Sequence, residues 1–73
     1  GYLYYLTDSE LIDLINSMIS RVGKFPSTVI IGDYNNYSSP PSSVTTAIAQ
    51  LKSAHKEIKT FTLRQSGYID EYV

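Results

Sequence analysis

The sequence predicts a small single α+β domain, two amphipathic helices packed on a small sheet in the order β-α-β-α-β-β, and three observations predict it. An apolar stripe of helical period lies near the N-terminus, and a second lies past the middle of the chain. Short β-branched and aromatic runs fall before, between and after them. At 73 residues the chain has room for one hydrophobic core, so residues 1–73 are read as one domain. Most of the 42% hydrophobic content is needed to build that core, which leaves little for an internal cavity.

The first helix is predicted from about Ser9 to Val22, because Leu11, Leu14, Ile15, Met18, Ile19 and Val22 recur on one helical face. Thr7-Asp8-Ser9-Glu10 reads as its capping box, with Asp8 and Asp13 favouring the positive end of the dipole. Gly23 and Pro26 close it. A second helix follows Pro40-Pro41, with Ser42 or Ser43 as N-cap and Val44, Ala47, Ile48, Leu51 and Ala54 on one face. Between the helices, Ser27-Thr28-Val29-Ile30-Ile31 suits a strand that ends at Gly32-Asp33. The next stretch, Asp33 to Pro41, carries two Asn, two Ser and two Pro and reads as loop or a single distorted turn. Glu57 to Leu63 and Tyr68 to Val73 are strand-like, joined by Arg64-Gln65-Ser66-Gly67 as a hairpin connection. Tyr2 to Leu6 also has strand composition.

Several function classes are disfavoured. There is no cysteine, hence no disulfide or thiolate-metal framework. The longest apolar runs, Val29 to Ile31 and Tyr2 to Leu6, fall far below the roughly 20 residues of a membrane span, so no membrane partner is expected. Neither a G-x-S-x-G elbow nor a P-loop is present. The single histidine, His55, sits on a lysine-flanked helix end and reads as a solvated side chain rather than a catalytic base. Asp33-Tyr34-Asn35-Asn36 begins like a calcium loop, but Tyr37 breaks the ligand pattern and no glycine follows. Asp8, Glu10 and Asp13 read as dipole partners instead of ligands. Asn36-Tyr37-Ser38 is a glycosylation acceptor only in a secreted chain. The expectation is a binding module, not an enzyme, with no cofactor and no metal.

Net charge is −1, which argues against a protein held to its partner by a global positive field. The cations are nonetheless uneven. Lys52, Lys56, Lys59 and Arg64 fall between Leu51 and Gly67, together with His55 and against the single acid Glu57. Seven tyrosines supply large amphipathic side chains of the kind found both at recognition surfaces and in small cores.

The run Ser43-Val44-Thr45-Thr46-Ala47-Ile48-Ala49-Gln50-Leu51, followed by Glu57-Ile58 and a hairpin, resembles a winged helix-turn-helix DNA-binding domain. That likeness implies a regulator of transcription that places its second helix in the major groove of double-stranded DNA. Ser43, Thr45, Thr46 and Gln50 would meet bases, while Lys52, Lys56, Lys59 and Arg64 would contact phosphates. It also implies a wing formed by the C-terminal hairpin and a first strand at Thr28 to Ile31, and binding as a homodimer on paired half-sites. A cytoplasmic location would follow from this reading alone. The preceding helix of the motif would occupy Asp33 to Ser39, where composition predicts loop.

A shorter run, Gly23-Lys24-Phe25-Pro26-Ser27-Thr28-Val29-Ile30-Ile31-Gly32, is similar to the Gly-Lys-x-Pro-x-x-Val segment of pseudomurein-binding repeats in methanogen cell-wall proteins. This implies a polymer-binding module in which tyrosines stack on sugars. A protein-interaction or self-assembly module is the third reading. The concentration of cations on the second helix and hairpin favours DNA over the other two.

Overall fold

The computed structural model describes residues 5–65 and contains two helices and a two-stranded sheet. Helix α1 spans Asp8–Ile19, strand β1 Thr28–Ile31, helix α2 Ser42–Ala54 and strand β2 Thr60–Leu63. The α+β class holds, with both helices on one face of the sheet. The expected strand at Tyr68 to Val73, residues 2–4 of the expected N-terminal strand, and Ser66 and Gly67 of the hairpin turn lie outside the described residues.

Helix α1 begins where its capping box lies. Glu10 N–H donates to Thr7 Oγ1 at 3.2 Å, and Thr7 N–H donates to Glu10 Oε1 at 2.9 Å, so two backbone donors without helical partners are satisfied reciprocally. The helix stops at Ile19, three residues short of the apolar stripe's end. Ser20 caps it, Arg21 N–H turns back to Met18 O, and Gly23 takes a φ of 110° that L side chains adopt poorly. Val22 is therefore carried out of the stripe, and only Leu11 and Ile15 of α1 are fully buried. Helix α2 has Pro41 as its N-cap and makes no side-chain cap bond, so neither Ser42 nor Ser43 caps it; both lie in the first turn. Proline there pre-sets an extended entry, and its carbonyl accepts from Val44 and Thr45 N–H.

The strands β1 and β2 pair in parallel, with Thr28 opposite Thr60, Val29 opposite Phe61, Ile30 opposite Thr62 and Ile31 opposite Leu63. Parallel neighbours require a crossover, and α2 supplies it. A similar arrangement starts earlier. Leu6 N–H donates to Asp33 O at 2.7 Å and Asn35 N–H to Leu6 O at 3.2 Å, forming a parallel bridge between Leu6 and Tyr34. Asp33, at a φ of 59°, bends the chain between Ile31 and this bridge. Residues 33–39 otherwise form turns, so the helix that a helix-turn-helix motif places before α2 does not occur.

Alternation along the strands sets two faces. Val29, Ile31, Phe61 and Leu63 point toward the helices and pack on the core, while Thr28, Ile30, Thr60 and Thr62 face outward. The core consists of Leu11, Ile15, Phe25, Tyr34, Val44, Ala47, Leu51 and Ile58. The α1–α2 interface is its centre, where Leu11 and Ile15 meet the Val44, Ala47 and Leu51 face.

Leu51 is fully buried, and a large-to-small change there removes transfer energy and leaves a cavity, at about 2–5 kcal/mol. A domain of this size is stable by roughly 4–11 kcal/mol in total. Leu51→Ala is expected to lower the urea midpoint by a third or more or to abolish the cooperative transition; a midpoint within experimental error of wild type would contradict this placement of α2.

Candidate nucleic-acid interface

Because β1 and β2 run parallel with α2 returning between them, and the parallel Leu6–Tyr34 bridge makes the same demand of α1, the two helices run parallel to each other. Their C-termini meet, and His55 joins them. His55 is the C-cap of α2, 8% exposed, and its Nε2 lies 3.0 Å from Met18 O and 3.4 Å from Ile19 O at the end of α1. Carbonyl oxygens only accept, so Nε2 carries the proton. Its ring meets Phe25 edge-on at 4.5 Å, and Nδ1 lies 3.8 Å from Glu57 Oε2. The expectation of a solvated histidine is thus reversed: the local sequence is lysine-rich, but the ring turns inward to donate to the carbonyls at the end of α1.

Glu57 ties the same region together. Phe25 N–H donates to Glu57 Oε2 at 2.8 Å. The carboxyl is held below its ordinary range, by hydrogen bonds from its own backbone N–H and that of Phe25 and by the nearby His55 and Lys24. Arg21 lies over the Phe25 ring, with its guanidinium carbon 5.0 Å from the centroid.

Five of the six cations gather at this end. Arg21 and Lys24 lie in the loop after α1, Lys52 in the last turn of α2, Lys56 just beyond it, and Lys59 where its N–H donates to Ser27 O at 2.7 Å. All five side chains are exposed, and none forms an ion pair among the described residues. Glu57 is the acid among them. Two helix C-termini together contribute only about one unit of negative charge, so complementing the macrodipoles leaves about three units of positive charge unaccounted for.

The sixth cation is elsewhere. Arg64 N–H donates to Ile31 O and its carbonyl accepts from Tyr34 N–H, at the opposite end of β2 and about 16 Å along the strand from Lys59. The four expected phosphate contacts therefore divide into Lys52, Lys56 and Lys59 together and Arg64 apart. The expected base contacts divide too. At about 100° per residue, Ser43, Thr46 and Gln50 share one flank of α2, whereas Thr45 shares the other with Lys52. Ser43 is about 13 Å along the axis from Lys52, near the acidic end. Thr45 Oγ1 donates to Ser42 O at 3.1 Å. Arg21 and Lys24 were not singled out by the sequence, since only the fold brings them beside Lys56 and Lys59.

At the other end, Asp8 organises the start of α1. Buried Tyr34 donates its hydroxyl to Asp8 Oδ1 at 2.6 Å, and Asn36 Nδ2 donates to the same oxygen at 3.0 Å. Tyr34 is a core residue, so it is unavailable for stacking on a sugar polymer. Its hydroxyl is pushed up to about 12 by burial first, then by the hydrogen bond to Asp8 and the negative charge there. Asp8 is lowered by the hydrogen bonds from Tyr34 and Asn36. Among the described residues no group of three or more His, Asp or Glu side chains is placed to hold a metal ion, and no helix is long and apolar enough to cross a membrane. The chain matches no protein-family model, no curated protein and no solved structure.

These shifts set the pH dependence of stability. Asp8 and Glu57 have folded values below their ordinary 3.8 and 4.5, so their contribution is present above those values and is lost as pH falls through and below them. Tyr34 is raised, so its contribution is present below pH 10 and is lost as pH rises from 10 to about 12. Urea midpoints are expected to fall at both extremes. Tyr34→Phe is expected to lower the neutral midpoint and to show a shallower further loss above pH 10; equal alkaline slopes in the two proteins would contradict the assignment.

Proposed function

We propose that this chain is a non-enzymatic DNA-binding module that grips the phosphate backbone with its basic end. The observation that carries the reading is the gathering of Arg21, Lys24, Lys52, Lys56 and Lys59 around the joined helix C-termini, with Glu57 already engaged by Phe25 N–H. Phosphates are the partner that such a grouping fits, since each neutralised phosphate releases condensed counterions. Net charge alone hides this, because Asp8, Glu10 and Asp33 lie toward the other end, Asp13 lies midway along α1, and Asp70 and Glu71 lie outside the described residues.

Docking by this end sets α2 end-on to the duplex. Ser43, Thr45 and Thr46 are then too far from the phosphate contacts to meet bases at the same time, and binding is largely independent of sequence. Two copies on adjacent phosphate tracks double the contacts, which suits a module with few cations. The absence of catalysis is supported by the use of His55, whose Nε2 is committed to the carbonyls of Met18 and Ile19.

Three to five phosphate contacts give a slope of log affinity against log salt between about −3 and −4.5. Changing Lys52, Lys56 and Lys59 together to Ala is expected to reduce that slope by two to three and to weaken binding to duplexes of any sequence, whereas Arg64→Ala leaves both unchanged. Fluorescence anisotropy with a labelled duplex at several KCl concentrations measures this. Salt-independent binding, or equal losses from Arg64→Ala, would overturn the assignment of the basic end.

A further inference from the structure

One feature of the basic end has no part in a phosphate grip. Val22 is 96% exposed, more than Leu14, Ile30 or Tyr37, the other large exposed hydrophobic side chains among the described residues. It stands at the tip of the loop between α1 and β1, and the loop is fastened on both sides. On one side Arg21 N–H is bonded to Met18 O, and its guanidinium lies over the Phe25 ring. On the other, Phe25 is buried and its N–H is bonded to Glu57. Gly23 has no side chain, and a Cβ built there would meet nothing within 4 Å. What projects is therefore a narrow tip, one isopropyl group beside bare backbone, with Arg21 and Lys24 on its two sides.

We infer that the Val22-Gly23 tip enters a groove of the bound DNA, Val22 making an apolar contact with base edges while Lys24 contacts the flanking phosphate. The inference rests on the DNA reading of the basic end. A groove has the complementary layout, with charged walls on both sides of a floor that offers apolar and stacked surface. A lipid surface fits less well, because stable interfacial insertion takes a broad apolar face and this end offers, among the described residues, one large exposed hydrophobic side chain among five cations. Apolar insertion also accounts for an exposed valine on a loop that is otherwise well anchored.

The test uses the full chain as wild type, Val22→Ser and Lys24→Ala, with anisotropy against a labelled duplex over a range of KCl and sedimentation with phosphatidylserine-containing vesicles. Val22→Ser is expected to keep the thermal midpoint and the salt slope of wild type while binding about fivefold more weakly at every salt concentration. Lys24→Ala is expected to reduce the slope by about one. If wild type binds with a steep slope and Val22→Ser binds equally well, the groove insertion is overturned and the phosphate grip stands. If wild type does not bind duplex DNA, both are overturned. Vesicle binding that Val22→Ser abolishes, with duplex binding unaffected, overturns the insertion by assigning the tip to lipid.

Discussion

The parallel pairing of β1 with β2 is the constraint from which the rest of the molecule follows. Two parallel neighbours cannot be joined by a tight turn, so α2 must run back between them. The Leu6–Tyr34 bridge, also parallel, places the same demand on α1. Both helices consequently run against the strands and alongside one another, and both C-termini arrive at the same end. Residues separated by more than thirty positions, Arg21 and Lys24 on one side and Lys56 and Lys59 on the other, become neighbours for this reason.

Two polar clusters hold the helix pair, one at each end. Asp8, Tyr34 and Asn36 fix the start of α1 to the chain beyond β1, and His55, Glu57 and Phe25 fix the end of α1 to the end of α2. Each cluster places a hydrogen-bonding side chain where a helix terminus leaves backbone groups open or a dipole end unopposed. No buried side-chain nitrogen or oxygen lacks a partner among the described residues, so these clusters join the core without an uncompensated desolvation cost. For so short a chain without cysteine, such ties complement the small apolar core.

Charge segregation follows from the same architecture. Parallel helices add their macrodipoles, and the acids Asp8 and Glu10 in the first turn of α1 with Lys52 in the last turn of α2 oppose that sum. The cations at that end exceed what the dipoles call for by about three charges. The open sheet face, with Thr28, Ile30, Thr60 and Thr62, carries no such excess.

The sequence by itself determined the local features, because their causes are local. The capping box at Thr7 and Glu10, the buried positions Leu11, Ile15, Val44, Ala47 and Leu51, the strand at Thr28–Ile31 and the turns after Asp33 were all legible from spacing and residue type. Where a neighbouring element decides, they were not. Val22 satisfies the helical period, yet the chain leaves the helix before it; His55 has lysines beside it in sequence but α1 carbonyls beside it in space; Tyr34 lies in a stretch read as loop and is core. The cation group was half legible: Lys52, Lys56 and Lys59 are near in sequence. Only tertiary structure removed Arg64 and added Arg21 and Lys24, because strand direction, which no stretch of a few residues encodes, decides which end of the molecule each one occupies.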